Sequence, residues 1–131
     1  MKPHIEVAAA IIWRQGKILI AQRDTRSHLP GYWEFPGGKR EAGESFEECL
    51  VREVREELDV KVRVQQLLDT ISFEYPEKQV TLKFFCCDFL EGKPKTLGCS
   101  GFKWVSPAQL CRYQFPPADG PIVKRIMNAD L

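Results

Sequence analysis

The sequence has few of the residues that build zinc sites or disulfide frameworks. Its only histidines are His4 and His28, and its five cysteines, at positions 49, 86, 87, 99 and 111, include no Cys-x-x-Cys pair. An odd number of scattered cysteines favours reduced thiols in a cytoplasmic protein over a disulfide framework. Because nitrogen and sulfur ligands are few and widely spaced, we expect no zinc centre.

The sequence also lacks a long apolar run and an excess of either charge. The apolar stretch near the N-terminus is short and follows His4 and Glu6, so we expect neither a signal peptide nor a membrane span. The net charge is only +1, which gives no general attraction for a nucleic-acid polymer or an anionic membrane. We therefore expect a small-molecule partner and a chain that is a monomer or a weak homodimer.

The hydrophobic pattern predicts one α+β domain over residues 1–131. Strands are predicted at 5–13, 17–23, 60–64 continuing through 67–73, 79–90 and 102–105, with a last helix at 122–129. In the second strand, alternation predicts Ile18 and Ile20 on the inner face, with Leu19 and Ala21 on the other. No strand is predicted between residues 24 and 44, where Gly, Pro and aromatic residues are frequent.

The most informative stretch begins with a helix predicted over Ser45 to Glu57. Ser45 followed three residues later by Glu48 is a capping box, which makes Ser45 the expected N-cap. Apolar residues then recur at spacings of three and four and predict a buried stripe. They are Phe46, Cys49, Leu50, Val54 and Leu58.

Three acids of this helix lie on one face without helping the helix to form. Glu53, Glu56 and Glu57 have the i, i+3, i+4 spacing that places their side chains one turn apart. Like charges at this spacing repel, and acids near a helix C-terminus oppose the macrodipole. A solvated acidic face is the ordinary interpretation. The interleaved Arg52 and Arg55 instead indicate carboxylates held in fixed orientations.

A glycine-rich segment directly before the helix favours a ligand site over a solvated face. Gly37 and Gly38 allow close approach of the backbone, and Glu44 adds a further carboxylate. Clustered carboxylates with a backbone carbonyl form a hard oxygen site, which suits Mg²⁺ or Mn²⁺. We therefore predict a divalent-metal site at the junction of this segment and the helix.

At these residues the sequence resembles the Nudix hydrolase family. Its signature motif has the pattern Gly, five residues, Glu, seven residues, then Arg-Glu-apolar-x-Glu-Glu-x-Gly-apolar. The matching positions are Gly38, Glu44, Arg52, Glu53, Val54, Glu56, Glu57 and Val60. One position departs, because Asp59 replaces the glycine that ends the helix. Asp tolerates a left-handed conformation better than most residues, so we expect the helix end to be intact.

The resemblance implies a Nudix fold, a mixed β-sheet sandwiched between α-helices, and hydrolysis of a nucleoside diphosphate linked to another group. It implies that Glu53, Glu56, Glu57 and the Gly37 carbonyl bind Mg²⁺, for which Mn²⁺ can substitute. Glu53 is then the group that orients or deprotonates the attacking water. Glu44 and Arg52 are the implied catalytic supports of the metal ligands.

Matches outside the motif resemble the MutT-type branch and extend over nearly the whole chain. They imply that a nucleoside triphosphate is cut to a monophosphate and pyrophosphate, as in the cleansing of oxidised nucleotides. The implied substrate-binding residues are Arg23, Glu34, Phe35, Lys39, Tyr75, Lys78 and Asp119. Arg23 and Lys39 would contact phosphate, and Phe35 and Tyr75 would line the base pocket, with Lys78 at its rim.

Two departures from that branch leave the substrate open. Asp119 stands where enzymes for 8-oxo-dGTP typically present Asn, and an ionised Asp offers acceptors alone. An Asp at this position resembles the sister branch, whose enzymes act on CTP, dCTP or 5-methyl-dCTP. A protonated Asp would instead mimic the side-chain amide of Asn. Gly98 stands where the branch usually carries a further metal-binding glutamate. Our leading hypothesis is 8-oxo-dGTP, with cytidine-type substrates as the alternative.

Two further hypotheses remain at the level of sequence. Hydrolysis of another diphosphate, such as a dinucleoside polyphosphate or ADP-ribose, requires a subsite for a second moiety, and the chain has few residues to spare for it. A non-catalytic Nudix-fold binding module would not need the self-repelling acids Glu53, Glu56 and Glu57.

Overall fold

The computed structural model describes residues 2–128, which form seven strands, two α-helices and two short 3₁₀ helices. The strands are β1 (His4–Arg14), β2 (Lys17–Gln22), β3 (Trp33–Glu34), β4 (Gly37–Lys39), β5 (Lys61–Glu74), β6 (Gln79–Glu91) and β7 (Gly101–Val105). The α-helices are α1 (Phe46–Leu58) and α2 (Gly120–Met127), and the 3₁₀ helices are Pro107–Arg112 and Pro117–Asp119. Neither α-helix has the length and apolar character needed to span a bilayer.

All seven strands belong to one mixed sheet. Its order is β3-β2-β1-β6-β5, with β4 also pairing with β1 and β7 with β2. The β1–β6 pair is parallel, as in the register Ala9 to Phe84, and the other pairs are antiparallel. This arrangement confirms the predicted mixed sheet and leaves β5 as an edge strand.

Helix α1 forms as predicted, with defined stops at both ends. The Ser45 hydroxyl accepts from the Glu48 N–H at 3.0 Å, and the Glu48 carboxylate accepts from the Ser45 N–H at 2.8 Å. At the other end Asp59 adopts the left-handed conformation with φ of 57°, and its N–H donates to the Arg55 carbonyl at 3.0 Å. The capping box and the tolerance of Asp for this conformation therefore set the length of α1.

Two separate cores cover the two faces of the sheet. One core holds Leu50 and Val54 of α1, and the other holds Ile122 and Ile126 of α2. The prediction that β2 has a single inner face is therefore wrong, because both of its faces are buried. Ile18, Leu19, Ile20 and Ala21 are all completely buried, because a strand between two cores has no solvent face.

Other boundaries also differ from the sequence prediction. The segment expected to contain no strand includes β3 and β4, and β4 pairs with β1 through Gly37 and Gly38. Short strands of two and three residues carry too little alternation to be recognised in a sequence. Helix α2 begins at Gly120, two residues before the predicted start, and the predicted end at Ala129 lies outside the described residues.

Candidate active site

The last turn of α1 and strand β4 bring three carboxylates to one recess, which Glu53, Glu56, Glu57 and Gly98 line. We call Glu53, Glu56 and Glu57 the carboxylate cluster. Glu57 is almost completely buried, and its Oε1 has no hydrogen-bond partner in the structure. Burial raises the pKa of Glu57 to about 8, the nearby Glu34 adds to the rise, and the Gly37 N–H opposes it. A buried, unsatisfied carboxylate oxygen favours a cation at this point.

Arg52 organises the other carboxylates around this recess. Its Nε and Nη2 donate to the two oxygens of Glu44 at 3.1 and 2.7 Å, and its Nη1 donates to Glu53 at 2.9 Å and to Glu56 at 3.2 Å. The bidentate hydrogen bonds from Arg52 lower the pKa of Glu44 to about 2. Arg55 pairs with Asp59 instead, at 3.3 Å. Of the two interleaved arginines, only Arg52 therefore holds the cluster.

Glu53 lies directly against the backbone of β4. A Cβ atom at Gly38 would overlap the Glu53 carboxyl group, so the absence of a side chain at position 38 makes room for it. Burial raises the pKa of Glu53, while the Arg52 guanidinium opposes the rise. The two glycines allow β4 to lie close to Glu53 and to β1, and they belong to a strand rather than to a loop. Their close approach to a ligand stays a prediction.

The carboxylate cluster has the donor chemistry of a divalent-metal site but is not closed around one point. Within residues 2–128 no three acidic, histidine or cysteine side chains converge into a ready ligand set. The reason is visible at Arg52, which draws Glu53 and Glu56 towards its Nη1. All three carboxylates nevertheless line the same recess. The residues present therefore fit a hard divalent cation, with Gly98 contributing no side-chain ligand.

Beside the cluster lies a cleft of about 400 Å³. It brings together five of the residues predicted to bind substrate, which are Arg23, Glu34, Phe35, Lys39 and Asp119. Arg23 Nη1 donates to Glu34 at 2.6 Å, and its Nε donates to the His28 carbonyl at 2.5 Å. Phe35 is buried and stacks on Phe115 with ring centroids 5.0 Å apart. The cleft therefore combines an aromatic wall with a small number of charged groups.

Asp119 is the buried acid at the far wall of the cleft. It ends the Pro117–Asp119 turn and precedes α2, but its side chain makes no capping hydrogen bond to that helix. Burial raises the pKa of Asp119 to about 7, the Glu34 carboxyl group adds to the rise, and Arg23 opposes it. One arginine thus faces two carboxyl groups, the partly buried Glu34 and the buried Asp119, which favours a proton on Asp119 near neutral pH.

This geometry can be compared with known families. The family model described as the NUDIX domain matches residues 7–125 of the chain, which is nearly its whole length. The chain belongs to the NUDIX family. The match confirms the resemblance that the motif around Glu53 indicated, and it places the carboxylate cluster in a Nudix hydrolase. Nudix hydrolases generally use divalent metal ions, in agreement with the chemistry of the cluster.

Relatives of this Nudix chain carry two different substrate names. The chain is 38% identical over 123 residues to CTP pyrophosphohydrolase of Escherichia coli (94% of this chain, 91% of the relative). It is 37% identical over 129 residues to 8-oxo-dGTP diphosphatase of Haemophilus influenzae (97% and 94%). The solution structure of the E. coli ORF135 protein has a TM-score of 0.85 and 38% identity, covering 98% of this chain and 92% of that one.

Two predicted substrate residues lie away from the cleft in this Nudix structure. Tyr75 and Lys78 flank the turn between β5 and β6 and are not among the residues that line the cleft. Tyr75 is 41% exposed and lies 6.4 Å from Phe73, measured between ring centroids. The Lys78 ammonium lies 5.6 Å from the Tyr75 centroid. Their contact with substrate stays a prediction that requires this turn to move towards the cleft.

Some residues that line the Nudix cleft were not predicted from the sequence, and they include Ser27 and apolar residues of strands β1 and β6. Val7, Ala9 and Leu82 form part of its floor, and Ser27 lies at its wall. The three apolar residues belong to strands β1 and β6, where alternation indicates a core face and gives no sign that part of that face is open. Ser27 lies in the loop after Arg23, where its hydroxyl donates to Asp24 Oδ1 at 3.0 Å. A loop serine carries no distinctive sequence signal.

Neighbouring glycines in this Nudix motif should respond differently to the same substitution. A Cβ at Gly38 meets only the end of the Glu53 side chain, whereas a Cβ at Gly37 overlaps the Ala8 backbone carbonyl. We expect Gly38→Ala to cost less than about 1 kcal/mol of stability but to lower kcat by displacing Glu53. Gly37→Ala should cost about 2–3 kcal/mol because the β1–β4 pair must separate. Thermal unfolding and kcat, measured on both variants, check this; equal loss of stability would contradict it.

The buried acids predict an unusual pH dependence of stability for the metal-free protein. The pKa of Glu57 rises from 4.5 to about 8 on folding, and that of Asp119 rises from 3.8 to about 7. The native state therefore binds more protons than the unfolded state in this range, so stability falls as pH rises from about 4.5 to about 8. Thermal unfolding with a chelator present should show Tm decreasing over this window. Glu57→Gln should flatten the decrease, and Glu47→Gln should leave it unchanged; a Tm that rises with pH would contradict the prediction.

Proposed function

We propose that the protein hydrolyses a (deoxy)nucleoside triphosphate to the monophosphate and pyrophosphate, and that Mg²⁺ is required. The observation that carries the proposal is the carboxylate cluster, in which Glu57 is buried with one oxygen unsatisfied within residues 2–128, beside a cleft that joins Phe35 to charged residues. The two substrate names among its relatives, an 8-oxo-dGTP diphosphatase and a CTP pyrophosphohydrolase, support the same reaction class.

The carboxylate cluster and the Gly37 carbonyl would hold Mg²⁺, for which Mn²⁺ can substitute. The ion supplies charge neutralisation for the phosphate oxygens and lowers the pKa of a bound water. Glu53 orients or deprotonates the attacking water, since it lies against β4 at the mouth of the recess. Arg52 holds Glu53, and the bidentate contact with Glu44 fixes Arg52 in turn. Arg52 and Glu44 are therefore positioning residues.

The cleft would hold the nucleoside and its phosphates. Arg23 and Lys39 provide positive charge for the phosphates, and Phe35 offers an aromatic surface for the base. In the free protein Arg23 is bonded to Glu34, so a phosphate would share or displace that carboxylate. Tyr75 and Lys78 would close over the base from the β5–β6 turn. These substrate contacts are proposals for the bound state.

We favour 8-oxo-dGTP as the substrate because of the environment of Asp119. Burial beside Glu34 raises the pKa of Asp119 to about 7, so a large fraction is protonated near neutral pH. A protonated carboxyl group has one donor and one acceptor and so resembles an amide, which matches O6 and the N7–H of 8-oxoguanine. The reaction would then remove an oxidised nucleotide before it enters DNA, which is a repair function.

Cytidine-type substrates are the alternative, and the same residue favours them in its other state. An ionised Asp119 offers acceptors to the N4 amine of cytosine, and Arg23 nearby opposes protonation of this acid. The E. coli relative, 38% identical, is named CTP pyrophosphohydrolase. The choice between 8-oxo-dGTP and the cytosine nucleotides (CTP, dCTP or 5-methyl-dCTP) therefore depends on whether Asp119 carries a proton.

The cellular setting is also part of the proposal. The near-neutral charge and the unpaired cysteines suit a single cytoplasmic domain that acts on a free nucleotide rather than on a nucleic-acid polymer.

A substrate panel tests the proposed reaction. Pyrophosphate release with Mg²⁺ is measured for 8-oxo-dGTP, dGTP, CTP, dCTP, 5-methyl-dCTP and ATP, and kcat/KM values are compared. We expect pyrophosphate as product, no turnover with a chelator, and the highest kcat/KM for 8-oxo-dGTP. A preference for cytosine nucleotides would reject the favoured base but keep the reaction. Release of inorganic phosphate, or no turnover of any triphosphate, would reject the reaction itself.

A further inference from the structure

A second concave surface lies apart from the cleft. It is a groove of about 570 Å³ between α1 and the edge strand β5, and it shares no lining residue with the cleft or with the recess of the carboxylate cluster. Its floor is apolar and consists of Val51, Val62, Val64 and Leu90. We call this surface the edge groove. Of its lining residues, Arg52 also takes part in the proposed reaction, through its contacts with Glu44 and Glu53.

Two apolar residues of the floor are exposed to solvent beside the edge strand β5. Val51 is 37% exposed and Leu90 is 40% exposed, and Leu67, further along β5, is 47% exposed. Contiguous exposed apolar surface is typical of an interaction site. The position therefore calls for a partner that covers it.

Charges of opposite sign lie on the two walls of the edge groove. Glu47 and Glu48 belong to the α1 wall, and Arg63 belongs to the β5 wall. The α1 wall also includes Arg52, whose charge is already paired with the carboxylates of Glu44 and Glu53. Across residues 2–128, neither Glu47 nor Arg63 forms an ion pair within 4.0 Å, and they do not pair with each other across the groove. Glu47 on one wall of the edge groove is therefore complementary in charge to Arg63 on the other wall of a second, identical groove.

We propose that the edge groove is a self-association surface whose occupant is a second copy of this chain, docked about a two-fold axis. A two-fold axis places the same patch on both sides of an interface, so the patch must be complementary to itself. An apolar floor with an acidic wall and a basic wall meets that requirement. Glu47 of each copy then faces Arg63 of the other, and the exposed Val51 and Leu90 side chains of the two copies approach each other between these pairs.

The dimer is expected to be weak and to rely on side chains. A stable interface buries about 800 Å² per partner, and a single groove supplies only part of that area. Continuous pairing of two β5 edges is disfavoured because register irregularities interrupt β5 between Val64 and Leu67 and again between Leu67 and Asp69. The association should therefore be concentration-dependent and sensitive to the charges on the walls.

Sedimentation velocity of the full chain tests the proposal, with protein concentrations up to about 1 mM, which covers weak association. We expect a monomer–dimer equilibrium. Arg63→Glu alone and Glu47→Arg alone should each raise the dissociation constant about tenfold, because each places like charges opposite one another. The double variant carrying both exchanges should return the constant to within about threefold of the original, since the pair is restored with its signs reversed.

A second variant and a control distinguish loss of the dimer interface from general effects of mutation. Leu90→Ser should weaken the dimer by removing part of the floor, whereas Leu97→Ser, which alters a residue 61% exposed outside the groove, should not. Thermal unfolding of each variant confirms that it is folded at the assay temperature. A monomer at all concentrations, or a dimer that the double exchange fails to restore, overturns the proposal.

Discussion

Glu53→Gln should lower kcat by about 10²- to 10⁴-fold while the substrate still binds. The substitution keeps the shape of the side chain, its place against Gly38 and its contact with Arg52, but it removes the negative charge and the capacity to accept a proton. The buried position of Glu53 raises the pKa of its carboxyl group, in keeping with a group that exchanges a proton during turnover. Steady-state kinetics with Mg²⁺, together with nucleotide binding by calorimetry, give kcat and affinity separately.

The matched control for this experiment is Glu47→Gln. Glu47 lies on the same helix but outside the recess of the carboxylate cluster, so kcat should stay within about twofold of the original. A kcat for Glu53→Gln close to the original, with normal binding of nucleotide, would show that Glu53 does not activate the water. The role would then pass to another member of the cluster, of which Glu57 is the most deeply buried.

Asp119→Asn should make the enzyme prefer 8-oxo-dGTP at every pH, so that the base preference no longer depends on pH. In the original chain the pKa of Asp119 is about 7, so the acid is mostly protonated below this pH and mostly ionised above it. The ratio of kcat/KM for 8-oxo-dGTP to that for 5-methyl-dCTP should therefore rise as pH falls through 7. Asn offers a donor and an acceptor at every pH. At pH 8, the ratio of kcat/KM for 8-oxo-dGTP to kcat/KM for 5-methyl-dCTP should be about 10- to 100-fold higher in the variant than in the original chain.

The ratio of two substrates is the appropriate measurement because Glu57 titrates in the same range. Burial raises the pKa of Glu57 to about 8, but its protonation affects both substrates and largely cancels in the ratio. Asp88→Asn, a change on β6 away from the cleft, should leave the pH dependence of the ratio intact. A ratio that is constant with pH in the original chain would show that Asp119 does not read the base through its protonation state.

The features that the sequence predicted well are those with a local physical cause. The capping box at Ser45, the apolar stripe of α1 and the left-handed Asp59 each depend on a few neighbouring residues, and all three are present in the structure. The clustering of Glu53, Glu56 and Glu57 follows from helical spacing alone. Recognition of the family added the expectation of a cleft lined by Arg23 and Asp119, which are 96 positions apart in the chain.

The features that the sequence did not predict depend on contacts between distant segments. Leu19 and Ala21 are as buried as Ile18 and Ile20 because α1 packs on the face that alternation within β2 placed opposite the inner one. Strand β4 exists because β1 supplies its hydrogen-bonding partner, and three residues alone carry no such signal. The extra burial of Glu57, which raises its pKa, comes from β4 and the 92–100 loop around it. Helical spacing gives the direction of a side chain but not what covers it.

The loop that carries Gly98 is fastened to α1 through its main chain. Lys95 N–H donates to the Leu58 carbonyl at 2.8 Å, and the N–H groups of Leu97 and Gly98 both donate to the Glu57 carbonyl, at 3.2 and 3.0 Å. A Cβ at position 98 would meet Glu57 only at ordinary contact distances. The backbone thus presents position 98 to the recess whatever its side chain is. A single substitution at position 98 would therefore add a carboxylate to the recess without any change in the main-chain path that delivers it.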